Sequence, residues 1–107
     1  VSAVWRAISR PDDDAEVVRL AGELDLAVVD QLERDLRAAL AQASSTLHVD
    51  LADVTYIDSS SVGVLMRTLA TATNEGKVLR VVNASGVPRR VLEVAGVAAA
   101  LGLDEVE

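Results

Sequence analysis

In TYIDSSSVGVLMRTL, Thr55 to Leu69, an extended apolar segment gives way to a helical one across an aspartate and three serines. Past the serines, Val62, Leu65, Met66, Leu69 and Ala72 recur at spacings of three and four, the stripe of an amphipathic helix. A helix start leaves backbone amides without partners, and the oxygen of Asp58 or Ser59 would supply one. A cap needs one residue and four polar ones stand in a row, so at least one hydroxyl is left to face solvent. Gly63 in the first turn costs about 1 kcal/mol relative to alanine. Its presence suggests close helix-on-sheet packing, and it also keeps the helix start low and open.

Outward from this junction the pattern alternates between strand and helix. Leu47, Val49 and Leu51 alternate along the strand before it, and ADVTYID continues through a turn and a short extended piece. Further upstream, Val29, Leu32, Leu36, Leu40 and Ala43 form the stripe of a first helix, with Asp25 at its N-cap position and QASS at its end. Val18, Leu20 and Leu24 fall at even spacings around Gly22 and predict a strand with one buried face. Val4 to Ile8 predicts an edge strand, joined to the next through the turn composition of RPDDDAE.

Downstream, Gly76 ends the second helix. KVLRVV has the continuous apolar character of an interior strand buried on both faces. ASGVPRRVLEVAGV begins a third helix, with Ser85 as its cap and Pro88 in its first turn. Gly96 interrupts it and leaves VAAALGLDEVE as a short apolar turn with an acidic tail. The order predicts an α/β fold: a mixed, mostly parallel sheet of four to five strands, an N-terminal β-hairpin edge, and three to four helices. Residues 1–107 read as a single domain with one core.

Half of the residues are hydrophobic but only 2% are aromatic, so that core is built from Val, Leu, Ile and Ala. Ten basic against seventeen acidic residues give a net charge of −7, which repels nucleic-acid backbones and anionic lipid. Cysteine is absent, hence no disulfide framework and no thiolate metal site is expected. The apolar runs are too short for a membrane span and VSAVWRAISR lacks the layout of a signal peptide, so a cytoplasmic domain without membrane contact is expected.

Enzymatic chemistry finds little support in the residues. A nucleophilic serine needs a nearby base, the one histidine is His48 within a strand, and no G-x-S-x-G elbow occurs. Glu23, Asp25, Asp50, Asp53 and Asp58 cluster near strand ends, where a magnesium site with a phosphorylatable aspartate would lie. That arrangement wants a lysine after a late strand, and Lys77 precedes its strand. Neither phosphate-loop pattern is present, and PDDD lacks the remaining ligands of a calcium loop.

Three segments in order resemble the STAS domain family of bacterial anti-sigma-factor antagonists: GELD (residues 22–25), HVDLADVTYIDSSSVGVL (48–65) and VLRVVNASGVPRRVLEVAGV (78–97). The second is similar to the family's strand, turn and D-S-S-G-L-G signature. The resemblance implies a non-enzymatic module that binds an anti-sigma factor which is also a serine kinase, freeing the sigma factor. Phosphorylation of the second motif serine breaks that complex and a serine phosphatase restores it. By position the acceptor is Ser60, with Ser59 and Ser61 as alternatives. The implied partner surface comprises Glu23, Asp25, Asp53, Tyr56, Asp58, Ser59, Ser61, Val62, Gly63 and Met66. ATP belongs to the partner, so no cofactor is assigned to this chain. The chain departs from the motif at Ser61, where the family has glycine; this adds bulk and a competing hydroxyl beside the acceptor. A phosphorylation-independent accessory subunit of a transporter or stress-sensing assembly is the alternative on the same fold.

Overall fold

The computed structural model describes residues 4–10 and 15–103. Four strands form one sheet in chain order: β1 (Val4–Arg10), β2 (Ala15–Leu24), β3 (Thr46–Ile57) and β4 (Val78–Val82). β1 runs antiparallel to β2, whereas β2, β3 and β4 are parallel. Helices α1 (Val29–Gln42) and α2 (Ser59–Asn74) make the two crossovers, and α3 (Gly86–Val94) follows β4. The expected range of four to five strands is met at four, of which three make the parallel part, and the α-helices number three among the described residues. The turn assigned to Pro11–Asp14 and the acidic tail Asp104–Glu107 lie outside the described residues.

Crossover helices bury their apolar stripes on the sheet, and this chain does so with aliphatic side chains. Leu32, Leu36, Ala39 and Leu40 of α1 meet Leu65, Val64 and Ala72 of α2 and the strand residues Leu20, Leu47, Val49 and Val81 in one core. α1 packs on α2 and β2, α2 on β4, and α3 on β3. The turn after α2 is closed by Gly76 at φ +72°, a left-handed conformation that disfavours a side chain. Gly76 N donates to Thr73 O and Lys77 N to Ala72 O, the paired bonds of a Schellman end. Lys77 Nζ then reaches the Leu40 carbonyl at 2.9 Å, joining the ends of both crossover helices.

Four expectations need correction. ADVTYID is not a turn: β3 runs unbroken for 12 residues. Pairing with β2 survives because the register slips between Arg19 and Ala21 and again between Gly22 and Glu23, each slip adding one residue on β3. Gly22, at φ +87°, supplies the second kink. β2 is buried on more than one face, since Glu16 and Val17 are sealed along with Val18, Leu20 and Leu24. KVLRVV is the end strand of the sheet, not an interior one. Its outer edge is masked by the turns after α3, where Leu101 is fully buried and its carbonyl accepts from Val81 N at 2.8 Å. Finally, Asp25 caps a single 3-10 turn, Leu26–Val28, and α1 starts only at Val29.

Burial separates adjacent positions on α2: Leu65 is fully enclosed, while Met66 packs at the margin of the core. Leu65→Ala is expected to lower unfolding stability by about 2–5 kcal/mol in urea titration, and Met66→Ala by less than half as much. Equal losses would place the helix in a different rotation on the sheet.

Candidate functional site

The carboxyl ends of β2 and β3 emerge side by side, because the strands are parallel and end in register at Leu24 and Ile57. Loops leaving that end carry GEL-Asp25-Leu26 on one side and Asp58-Ser59-Ser60 on the other. Leu24 O accepts from Asp58 N at 3.2 Å and from Ser61 Oγ at 2.9 Å, and so pins the two segments together.

Asp58 is the cap of α2, with extended backbone and its Oδ1 accepting from Ser61 N at 3.2 Å. The same oxygen accepts from Ser60 Oγ at 2.6 Å, a short charge-assisted bond. The Ser60 hydroxyl, foremost, holds the Asp58 carboxyl below its ordinary value of 3.8. Partial desolvation opposes this, and the amides of Ser61, Ser60 and Leu26 reinforce it.

The three serines therefore differ in kind. Ser59 is exposed, Ser60 is half-buried with its hydroxyl engaged by Asp58, and Ser61 is completely enclosed. Ser61 is a correction to the expected surface: its hydroxyl is spent on Leu24 O inside the protein and does not compete with its neighbour for an incoming group. Val62 is a second correction, being 8% exposed and part of the core. Gly63 is a third. A Cβ built there would meet Arg67 Nη1 at 3.3 Å rather than the sheet. Arg67 lies back over that bare position and bridges to Glu33 on α1, Nη2 to Oε1 at 3.1 Å. The Arg67 bond, followed by a weaker one from Arg37, lowers the Glu33 pKa.

Of the other expected residues, Asp25 is half-buried and tied to Ala27 N at 3.0 Å. Glu23 and Tyr56 are cross-strand neighbours, both exposed. Asp53 is exposed but pairs opposite Ala21, before the second slip in register. Met66 is half-buried against the core. Sequence reading missed Leu26, which is 71% exposed and whose backbone amide faces the Asp58 carboxylate. Its signal was present: with Val29 opening the stripe of α1, Leu26 falls outside the helix as an aliphatic residue in a polar loop. Among the described residues no group of acidic or histidine side chains is arranged to hold a metal ion, and no helix is long and apolar enough to cross a membrane.

A parallel βα sheet with an antiparallel edge, whose serine-bearing helix start is bound to the end of the neighbouring strand β2, defines the class of α/β domain. The chain belongs to the STAS domain family: the family model described as "Mlab, STAS domain" matches residues 9–103. It is 32% identical over 84 residues to an anti-sigma-B factor antagonist of Staphylococcus epidermidis, covering 78% of each chain. The fold is similar to that of an anti-sigma factor antagonist from Mycobacterium paratuberculosis (TM-score 0.83, 23% identity, 97% of this chain and 86% of that one). It is also similar to the Bacillus cell fate determinant SpoIIAA in its phosphorylated form (TM-score 0.67, 23% identity, 92% and 87%).

The lowered pKa of Asp58 has a direct consequence for acid stability. In the unfolded chain this carboxyl takes up its proton at a higher pH than in the folded one. Its contribution is present above the unfolded value and is lost as pH falls through the folded value, which lies below the ordinary carboxylate range. Asp58→Asn keeps a capping oxygen but not the charge. The variant is expected to be less stable at neutral pH and to show a shallower acid limb in urea titrations, whereas an unchanged limb contradicts the charge-assisted cap.

Proposed function

We propose that this chain is an anti-sigma-factor antagonist, acting in the cytoplasm, whose binding to a kinase-type anti-sigma factor is switched off by phosphorylation of Ser60. The observation that carries this reading is the placement of the Ser60 hydroxyl. It stands at the mouth of α2, half-exposed and two residues from the cap, on the same Asp58 carboxylate that faces the backbone amide of the exposed Leu26. The names of the curated relatives and the phosphorylated state of one solved neighbour support it.

In the proposed step Ser60 Oγ attacks the γ-phosphorus of ATP held by the partner. The Oγ–P bond forms as the bond to the bridging oxygen breaks, ADP leaves, and the hydroxyl proton passes to a base on the partner. The proposed partner surface takes Glu23, Asp25, Leu26, Asp53 and Tyr56 from the β2 and β3 side and Asp58, Ser59, Gly63 and Met66 from the helix start. Leu26 is the apolar anchor proposed for this face, since its exposed side chain gains about 1.5–3 kcal/mol if a partner buries it fully.

The phosphate adds about −1.5 to −2 charges at neutral pH. Its ester oxygen has no hydrogen, so the 2.6 Å bond to Asp58 is replaced by repulsion and the side chain swings outward. The helix dipole favours an anion at this end, which keeps α2 folded while the interface is lost. Hydrolysis by a separate serine phosphatase restores the binding form.

Incubation with ATP and the cognate anti-sigma kinase is expected to add one phosphoryl group, read by intact mass, to the parent and to Ser59→Ala but not to Ser60→Ala. A parent that no such kinase modifies would instead favour the phosphorylation-independent accessory subunit. Leu26→Ala is expected to weaken partner binding by about tenfold or more in calorimetry with its melting temperature nearly unchanged. Parent-like affinity would remove Leu26 from the interface.

A further inference from the structure

We propose that Ser61 is a positioning residue: its buried hydroxyl holds the Asp25–Val28 turn against the start of α2, so that Leu26 and Ser60 present one preformed docking face. This rests on the reading that the face binds a partner, but the restraint itself is a property of the free protein.

The geometry is a closed ring of bonds between two loops. Asp58 N and Ser61 Oγ both donate to Leu24 O, at 3.2 and 2.9 Å. The Leu26 amide faces the Asp58 carboxylate, which also accepts from Ser61 N at 3.2 Å. Ser61 thus takes part twice, through its side chain to the strand end and through its amide to the cap. Its side chain is completely enclosed, so the bond to Leu24 O forms where water does not compete. Within the turn itself the contacts are short-range, Ala27 N to Asp25 Oδ1 and Val28 N to Asp25 O, and the Leu26 amide alone reaches across, to the Asp58 carboxylate. A 3-10 turn of three residues is a weak element by itself. Its direction is therefore fixed at two points, the anchored Leu24 carbonyl immediately before it and the Leu26 amide on Asp58, and Ser61 supplies a bond to each side of that ring.

The hydroxyl is also separable from the fold. In Ser61→Ala the Leu24 carbonyl keeps the Asp58 amide as a donor, so no buried acceptor is orphaned, and the cap at Ser61 N survives. The variant then removes one of the cross-links and leaves the core intact. Ordering the turn before binding spares the complex that entropy, so its loss falls on association and not on the chemistry of a bound hydroxyl.

The test is amide hydrogen exchange of the free protein, followed residue by residue by NMR. Ser61→Ala is expected to raise exchange at Leu26, Ala27 and Val28 by about five- to twentyfold relative to the parent. Amides of the inner strands, such as Val18 and Val49, should shift by less than about twofold. A uniform rise across the core, or no change at the turn, overturns the proposal. A second arm measures Ser60 phosphorylation by the cognate anti-sigma kinase, where KM for the variant is expected to rise about three- to tenfold at unchanged kcat. A fall in kcat alone overturns the positioning role. Ser61→Gly, which lacks the hydroxyl too, is expected to match Ser61→Ala at the turn, and parent-like exchange there counts against the hydroxyl. If the kinase fails to modify even the parent, the docking reading fails while the exchange result still decides the restraint.

Discussion

The carbonyl oxygen of Leu24 accepts two hydrogen bonds from the start of α2, and the exposed end of the molecule is organised around that junction. It exists because β2 and β3, joined by the α1 crossover, are parallel and end together. Without the two extra residues that β3 accommodates, Ile57 would not lie opposite Leu24 and Asp58 would not reach its carbonyl. The irregular register is therefore what aims the helix start at the preceding loop. Ligand-facing loops collect at the carboxyl ends of parallel strands, and here that end is closed by backbone and serine rather than left as a crevice.

Charge at this end is managed locally. Glu23, Asp25, Asp53 and Asp58 give it a negative character, yet Asp58 is held ionised by the Ser60 hydroxyl and neighbouring amides. One oxygen of Asp58 thus serves both as helix cap and as partner to the proposed acceptor. Placing a phosphate on Ser60 would disturb the second role and leave the first to the backbone. A switch built in this way changes what a partner meets without drawing on the aliphatic core beneath. That core is closed independently by the Schellman turn after α2 and by Lys77 reaching the end of α1.

Much of the fold was legible because each helix kept its stripe: Leu32, Leu36 and Leu40 on α1, and Val62, Leu65 and Ala72 on α2, are buried as their spacing implies. Position in the sheet was less legible. The run Val78–Val82 is apolar but for Arg80, and sequence cannot distinguish a strand flanked by strands from one flanked by the turns around Leu101. The bulges of β3 were read as a turn because Ala52 and Asp53 break the alternation that marks a strand. At the site, the capping role of Asp58 followed from its place before a helix. The division of labour among three identical serines did not, since it depends on which one the Leu24 carbonyl happens to face. Leu26 is hidden for a related reason: with Asp25 as the cap and Val29 opening the stripe, Leu26 counts as part of the first helical turn, whereas it lies in a separate 3-10 turn that leaves it exposed.

The most direct measurement compares the affinity of the cognate anti-sigma kinase for the unmodified protein and for the same protein carrying phosphate on Ser60, by calorimetry at one salt concentration. Weakening of about a hundredfold or more, with both forms melting at similar temperatures, is the expected result. Comparable binding of the two forms, or unfolding on phosphorylation, would contradict a switch that acts at the mouth of α2.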